Sequence, residues 1–387
     1  MTRRVEIVQY SADYDGSTLS ALLLADGFLK AGWKTTVCFA TDGPIISRFR
    51  TSGHDTFVYG HNNWLRRNSP IRFLKDIVSE LRHAAGYRAV LKERKPDLVY
   101  INNATGLFGA VAAKSLNIPV IWHIRELYES VGGEMRAPQA MIPVVANIIK
   151  GLSNIQVANT RAVANNFGLT NSSRLHVVPN AVNDRYFKIA YSKEVARDKL
   201  GLRRIARDII IGIPGTPRPM KGHKFFLSAV ANYLRLNPEV HVMVTGTGSS
   251  EYLEDLLDLI SARGINDRVT FLGRVSDMQV FYRACDLVVI PSRAEPFGRV
   301  IIEAFASKVP VIATRVGGIP EIIEPGRNGV LVTYGDAPEL IRAIEKLLSS
   351  EGIRRDIVEA AFIDATEKYT ASVYQEKLVS FAEMIVP

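Results

Sequence analysis

A chain of 387 residues, 47% apolar and 22% charged, is long enough for two domains and has the balance of a globular protein, which excludes disordered, collagen-like and coiled-coil classes. Its 48 basic and 39 acidic side chains leave a formal net charge of +9, placed unevenly: residues 1–186 carry 22 basic against 14 acidic, residues 187–387 carry 26 against 25. The two cysteines, Cys38 and Cys285, stand in no CxxC or Cys/His spacing, so neither a disulfide framework nor a zinc site is indicated.

The chain opens on a strand over 5–10, without the apolar stretch and cleavage site of a signal peptide. A helix over 18–31 follows, with Gly32 beyond its end, and then a strand over 34–40. Residues 64–95 are strongly basic, with nine basic and three acidic side chains. Within them Ile71, Leu74, Ile77, Val78, Leu81 and Ala85 recur at helical spacing, which predicts one packing face with Arg72, Lys75, Arg82 and Arg88 carried elsewhere. Such a segment fits a solvated outer helix, or attachment to an anionic membrane surface. Nucleic acid is not an expected partner, because no binding signature accompanies the charge and no aromatics are interleaved with it.

Strands over 97–102 and 119–124 flank a helix over 106–116, and an apolar piece over 141–152 is too short to span a bilayer. No uncharged run reaches the roughly 18 residues that a spanning helix needs. After a polar boundary within 184–208 the alternation restarts, with strands over 209–213, 240–245, 269–272, 287–290, 309–313 and 329–332. The expected fold class is therefore α/β. Two Rossmann-like domains, 1–184 and 185–365, are expected to face each other across a cleft, with the carboxyl ends of both sheets around one site.

The stretch 286–324 is the most informative. A buried strand ends at Pro291, a loop with Glu295, Pro296 and Gly298 follows, and a helix begins near Arg299. Free N–H groups and the helix dipole favour an anion such as phosphate at that start. Glu303 lies one turn in. Two carboxylates beside an anion site make sense if hydroxyl-rich groups flank it, since carboxylates accept hydrogen bonds from sugar hydroxyls; the alternative is a solvated helix residue and a turn residue. Upstream, Lys221 and Gly222 stand at a strand-to-helix turn suited to a diphosphate, in an order that is not a Walker P-loop. Gly246-Thr247-Gly248 lacks the third glycine of the dinucleotide fingerprint.

Taken in order, these pieces resemble the C-terminal domain of the retaining glycosyltransferases of family 4, which have the GT-B architecture. EPFGRVIIE matches the family's E-x7-E pattern through Glu295 and Glu303, with PVIAT, GGIPE and NGVLV following as the family has them. KG at Lys221, VTGTG, FLGRV and VPNAVN extend the match over about 178–345. The resemblance implies that Glu303 contacts the ribose of a nucleotide sugar and Glu295 the transferred sugar. It further implies that Lys221 holds the diphosphate with the amides near Phe297 and Gly298, that the turn at Gly246 approaches the donor, and that Arg274 and Val275 border the base. The family commonly carries Arg where this chain has Thr216; Arg218 is the candidate replacement.

In the first half WHIREL resembles the family's histidine segment, placing His123 near the reacting sugar and Arg125 beside the acceptor, although a lone histidine there also fits a core or capping role. The usual glycine pair is reduced to Asp15-Gly16-Ser17, so Gly16 and Ser17 are acceptor-site candidates. The implied activity is transfer of a sugar from a nucleotide diphosphate donor to an acceptor hydroxyl, with retention and without a metal or other cofactor, in polysaccharide, lipopolysaccharide or glycolipid synthesis. His123, Glu295 and Lys221 are the implied catalytic set. A GT-B epimerase, a sugar-phosphate-using synthase and a non-catalytic nucleotide-sugar-binding protein are the alternatives. A carbohydrate or lipid-linked acceptor is the implied partner, the expected location is cytoplasmic and peripheral at the inner membrane face, and the tail, about 366–387, is expected to pack back on the first domain.

Overall fold

In the computed structural model, which describes residues 2–65, 69–128, 139–188, 190–205 and 207–386, the chain forms two compact units. The first comprises Met1–Ala181 and Ala371–Pro387, the second Val182–Thr370. The chain therefore leaves the first unit after 181 and returns at 371, where 184 and about 366 were expected.

The first unit is built on seven parallel strands: β1 (Arg4–Gln9), β2 (Lys34–Phe39), β3 (Asp55–Val58), β4 (Leu98–Ile101), β5 (Val120–Ile124), β6 (Ile155–Ala158) and β7 (Leu175–Val177). They lie in the order β3-β2-β1-β4-β5-β6-β7. β4 and β5 are buried at every position, as continuous apolar runs in a parallel sheet covered on both faces require. The strand order reverses between β1 and β4, and the crevice at the carboxyl ends of such a pair is where open α/β sheets bind ligands.

After β1 the helix Gly16–Lys30 begins two residues earlier than the expected 18, because Asp15 caps it: its Oδ1 accepts from the Thr18 N–H at 2.8 Å. The returning helix Ala371–Ile385 packs against Gly16–Lys30. Gln375 Nε2 donates to the Leu23 carbonyl at 2.8 Å, and Tyr374, Leu378 and Phe381 join the core with Leu24, Phe28 and Tyr100.

The basic segment forms the helix Pro70–Arg94; its residues 66–68 lie outside the described residues. Its packing face is not the expected one. Phe73, Glu80, Ala84, Tyr87 and Leu91 are buried, whereas Ile71, Leu74, Val78 and Leu81 are exposed. Glu80 stays on the buried side because its carboxylate accepts from the backbone N–H groups of Phe108 (3.2 Å) and Asn62 (3.3 Å), the former at the start of helix Leu107–Lys114.

The second unit holds six parallel strands: β8 (Ile209–Ile213), β9 (Val240–Val244), β10 (Val269–Phe271), β11 (Leu287–Ile290), β12 (Val311–Thr314) and β13 (Val330–Val332). Their order is β10-β9-β8-β11-β12-β13, with the same reversal, here between β8 and β11. β12 begins past Pro310, which has no N–H to give to a ladder. Among the described residues no helix is long and apolar enough to cross a membrane.

Candidate functional site

The sequence-predicted donor residues of the second unit gather around the loops that follow β8 and β11. After β8 a short turn, Pro219–Lys221, leads into the helix His223–Leu236 through Gly222, whose φ is +72°. A Cβ at Gly222 would overlap the carbonyl oxygen of Pro291, so only glycine lets the lysine turn lie against the end of β11. The Arg293 N–H donates to the Met220 carbonyl at 2.7 Å and fixes the same contact.

Across this junction Lys221 Nζ meets Glu295 Oε2 at 2.6 Å, and Ser292 Oγ lies 3.3 Å from the same oxygen. A third loop holds Glu295 from behind. Gly317 has φ +52°, and a Cβ there would overlap the Glu295 carbonyl oxygen, which also accepts from the Gly318 N–H at 2.9 Å. The first two residues of GGIPE therefore seat the loop that carries Glu295.

Gly298, with φ +97°, precedes the helix Arg299–Ala306. Glu303 is buried one turn in, its Oε1 accepting from Arg299 Nε at 2.9 Å and its Oε2 from the Tyr282 hydroxyl at 3.0 Å. Both carboxylates are thus held in place: Glu295 and Glu303 are each only 6% exposed, so Glu303 is not a solvated helix residue. Phe297 points its ring into the core, against Tyr369, so only its backbone is available to a ligand.

The remaining candidates are more peripheral. Gly246 donates its N–H to the Gly273 carbonyl at 2.7 Å and packs on Thr216, so it joins the loops after β8, β9 and β10. Val275 is half-buried just beyond, and Arg274 and Arg218 are exposed. Three participants escaped the sequence reading. Arg299 was legible as an i, i+4 partner of Glu303. Tyr282, from helix Met278–Ala284, gave no local signal. His223, at the first turn of its helix, is buried, and burial together with the neighbouring Lys221 charge lowers its pKa to about 4, so the ring is neutral.

In the first unit, Ser17, His123 and Arg125 fall into one polar network at the carboxyl ends of β1, β4 and β5. Ser17 Oγ donates to Asp15 Oδ1 at 2.8 Å and accepts from Gln9 Nε2 at 3.1 Å. Asn102 Nδ2 donates to Gln9 Oε1 at 2.6 Å, while Asn102 Oδ1 accepts from Arg125 Nε at 3.0 Å. Gly16 opens the helix beside it, and its carbonyl accepts from Ser20 Oγ at 2.9 Å within that helix.

The Arg125 guanidinium is buried and also donates to Asn180, to the Tyr374 hydroxyl and to His123 Nδ1 (3.0 Å). Tyr100 OH lies 2.7 Å from the same nitrogen. Because arginine only donates, Nδ1 is an acceptor and the ring proton sits on Nε2. Burial and the Arg125 charge hold the His123 pKa well below its ordinary value, so the ring is neutral. Its Nε2–H has no hydrogen-bond partner among the described residues. His123 is therefore fixed as a neutral donor rather than a proton-binding base.

Comparison with known proteins accords with this division. Residues 197–363 match the family model for glycosyl transferases group 1, and residues 14–186 that for Glycosyltransferase Family 4. A D-inositol 3-phosphate glycosyltransferase from Mycobacterium sp. (strain KMS) is 37% identical over 196 residues, covering 49% of this chain and 43% of the relative. The lipopolysaccharide core biosynthesis mannosyltransferase LpcC of Rhizobium leguminosarum bv. viciae is 31% identical over 181 residues, covering 46% and 51%. The chain spans about half the length of the curated relatives it matches. Anabaena HepE, solved with UDP and glucose, superposes with a TM-score of 0.83 at 23% identity over 98% of this chain and 99% of that one. WaaG, a glycosyltransferase of lipopolysaccharide biosynthesis, gives 0.69 at 17% identity over 97% and 99%. At such identities the likeness is one of fold, and the fold is GT-B.

Proposed function

Because the chain belongs to the family 4, group 1 glycosyltransferases of GT-B fold, we propose that it moves a sugar from a nucleotide diphosphate donor to an acceptor hydroxyl, with retention of anomeric configuration and without a metal. The observation that carries the reading is the ion pair of half-buried Lys221 with buried Glu295 beside the start of helix Arg299–Ala306, with Glu303 fixed one turn in. A diphosphate leaving group develops negative charge as its bond to the sugar breaks. Lys221, Arg218 and the backbone amides at Phe297 and Gly298 supply fixed positive charge where it forms, which lowers the barrier without a metal ion.

The phosphate draws Lys221 from Glu295, which frees that carboxylate to accept hydrogen bonds from the transferred sugar. Glu303, oriented by Arg299 and Tyr282, accepts from the ribose hydroxyls. Gly246, Arg274 and Val275 border the nucleotide. With Glu295 engaged in binding, retention follows from attack on the leaving-group side rather than through an enzyme-bound intermediate.

In the first unit, Gly16, Ser17 and Arg125 shape the acceptor side, and the His123 Nε2–H donates to a hydroxyl of the reacting sugar. UDP-glucose is the first donor to test, since HepE was solved with UDP and glucose. A carbohydrate or lipid-linked acceptor is in keeping with LpcC and WaaG, and the exposed basic residues of helix Pro70–Arg94 face an anionic surface that presents it.

Thermal-shift screening of UDP-, GDP- and ADP-sugars tests the donor site, because a ligand that binds the folded state raises the melting temperature by mass action. One donor class is expected to raise it. Lys221→Ala and Glu303→Ala should each abolish that rise while remaining folded; a rise retained in both refutes the assignment.

A further inference from the structure

We propose that the exposed face of helix Pro70–Arg94 is a lipid-docking surface whose aliphatic side chains enter an anionic bilayer. The inference deepens, and rests on, the reading of 64–95 as surface-facing; it adds insertion to attraction and names the residues that insert. Ile71 is 70% exposed, Leu74 56%, and Val78 and Leu81 48% each. At 100° per residue the four lie within an arc of about 80°, centred about 130° from the buried face formed by Phe73, Glu80, Ala84, Tyr87 and Leu91. They form a separate apolar stripe, running about 15 Å along the axis. No other helix of the described residues exposes more than two large hydrophobic side chains.

The charge around the stripe identifies what covers it. Lys75 and Arg82 run along one edge, Arg88 lies on the other, and Lys92 continues the line; all four are exposed and none is in an ion pair among the described residues. The only exposed acid on the helix is Glu93, near its end. Long basic side chains beside short aliphatic ones lay their stems along the apolar strip and keep their charges among headgroups, the arrangement of helices that lie in a membrane interface. A protein partner calls for a different surface, with aromatic anchors and pockets, and the stripe contains no aromatic residue.

Co-sedimentation of the full chain with phosphatidylcholine vesicles, with and without phosphatidylglycerol and at low and high salt, tests this. The wild type is expected to partition to the anionic vesicles, less so in high salt. The double variant Leu74→Ser/Leu81→Ser should weaken that partitioning about tenfold or more, and Lys75→Gln/Arg82→Gln should remove the preference for phosphatidylglycerol. Both must keep the wild-type melting temperature and the donor-induced shift, which separates loss of docking from loss of the transferase site. Undiminished partitioning of the serine variant overturns insertion while leaving electrostatic attraction in place. A wild type that ignores anionic vesicles overturns both, and a concentration-dependent dimer abolished by the serine variant assigns the stripe to a second copy and also overturns the proposal.

Discussion

Glu6, on β1, is buried beneath helix Pro70–Arg94, its Oε1 accepting from the Tyr87 hydroxyl and its Oε2 without a partner among the described residues. Burial pushes its pKa up to about 7, against an ordinary carboxylate value near 4.3 in the unfolded chain. The folded protein therefore holds a proton that the unfolded chain has lost, and the resulting stability is complete below the unfolded pKa and disappears as pH rises through 7. Glu80 is pushed up to about 7 by burial as well and acts in the same direction. His61 and His223 act at the other end: burial lowers each to about 4, so their contribution is present above 6.5 and lost as pH falls toward 4. Stability is expected to be greatest between these limits and to decline from pH 6 to 8.5, with Glu6 accounting for about 1.4 kcal/mol of that fall. Glu6→Gln keeps an acceptor for Tyr87 and carries no titrating charge, so its melting temperature should fall less over that range. Parallel pH profiles for wild type and variant would remove Glu6 from the explanation.

The proposed donor site depends on how closely the loops after β8, β11 and β12 can approach one another, and glycines set that distance. At Gly317 any side chain overlaps the backbone of Glu295, the residue proposed to bind the transferred sugar. At Gly326, also in the left-handed region with φ +81°, a Cβ meets open space. Gly326→Ala should therefore cost only the backbone strain of about 1 kcal/mol and leave the donor-induced thermal shift intact. Gly317→Ala displaces the Glu295 loop and should reduce that shift at least tenfold in donor affinity, measured by titration calorimetry; equal affinities in the two variants would sink the steric account. The strands that frame these loops were legible because each is a short apolar run buried on both faces, and the E-x7-E spacing drew attention to the two carboxylates. The packing face of helix Pro70–Arg94 was not legible. Its aliphatic residues repeat at helical spacing along one side, but the side that packs includes Glu80, a polar residue kept inside by two backbone N–H groups that are distant in sequence. Tyr282 was hidden for a similar reason, since its link to Glu303 exists only across the fold. Local periodicity reports amphipathicity; it does not say which apolar strip finds the core.

The two units differ in how the chain builds them. The second is continuous, Val182–Thr370, whereas the first is completed only when the last helix returns. That helix and the residue after it contribute Tyr374, Leu378, Val379, Phe381, Ala382 and Val386 to the core under Gly16–Lys30, and the Tyr374 hydroxyl accepts from the buried Arg125 guanidinium. At roughly 1.5–3 kcal/mol for each large apolar side chain withdrawn from water, its burial amounts to about 10 kcal/mol, as much as the net stability of a typical domain. Loss of the Tyr374 hydroxyl also leaves a buried cation short of a partner, at a further cost of about 1–3 kcal/mol. A chain ending at Thr370 is therefore expected to lose the cooperative melting of the first unit, expose it to protease and abolish transfer. The second unit keeps all its strands and every predicted donor residue, so the truncated chain should still melt in a transition that the donor sugar raises. Calorimetry with and without that sugar, followed by limited proteolysis, reads both halves of the expectation. Survival of the first unit's transition would mean that its core is closed without the tail, and loss of the donor response would mean that the second unit's site depends on the first.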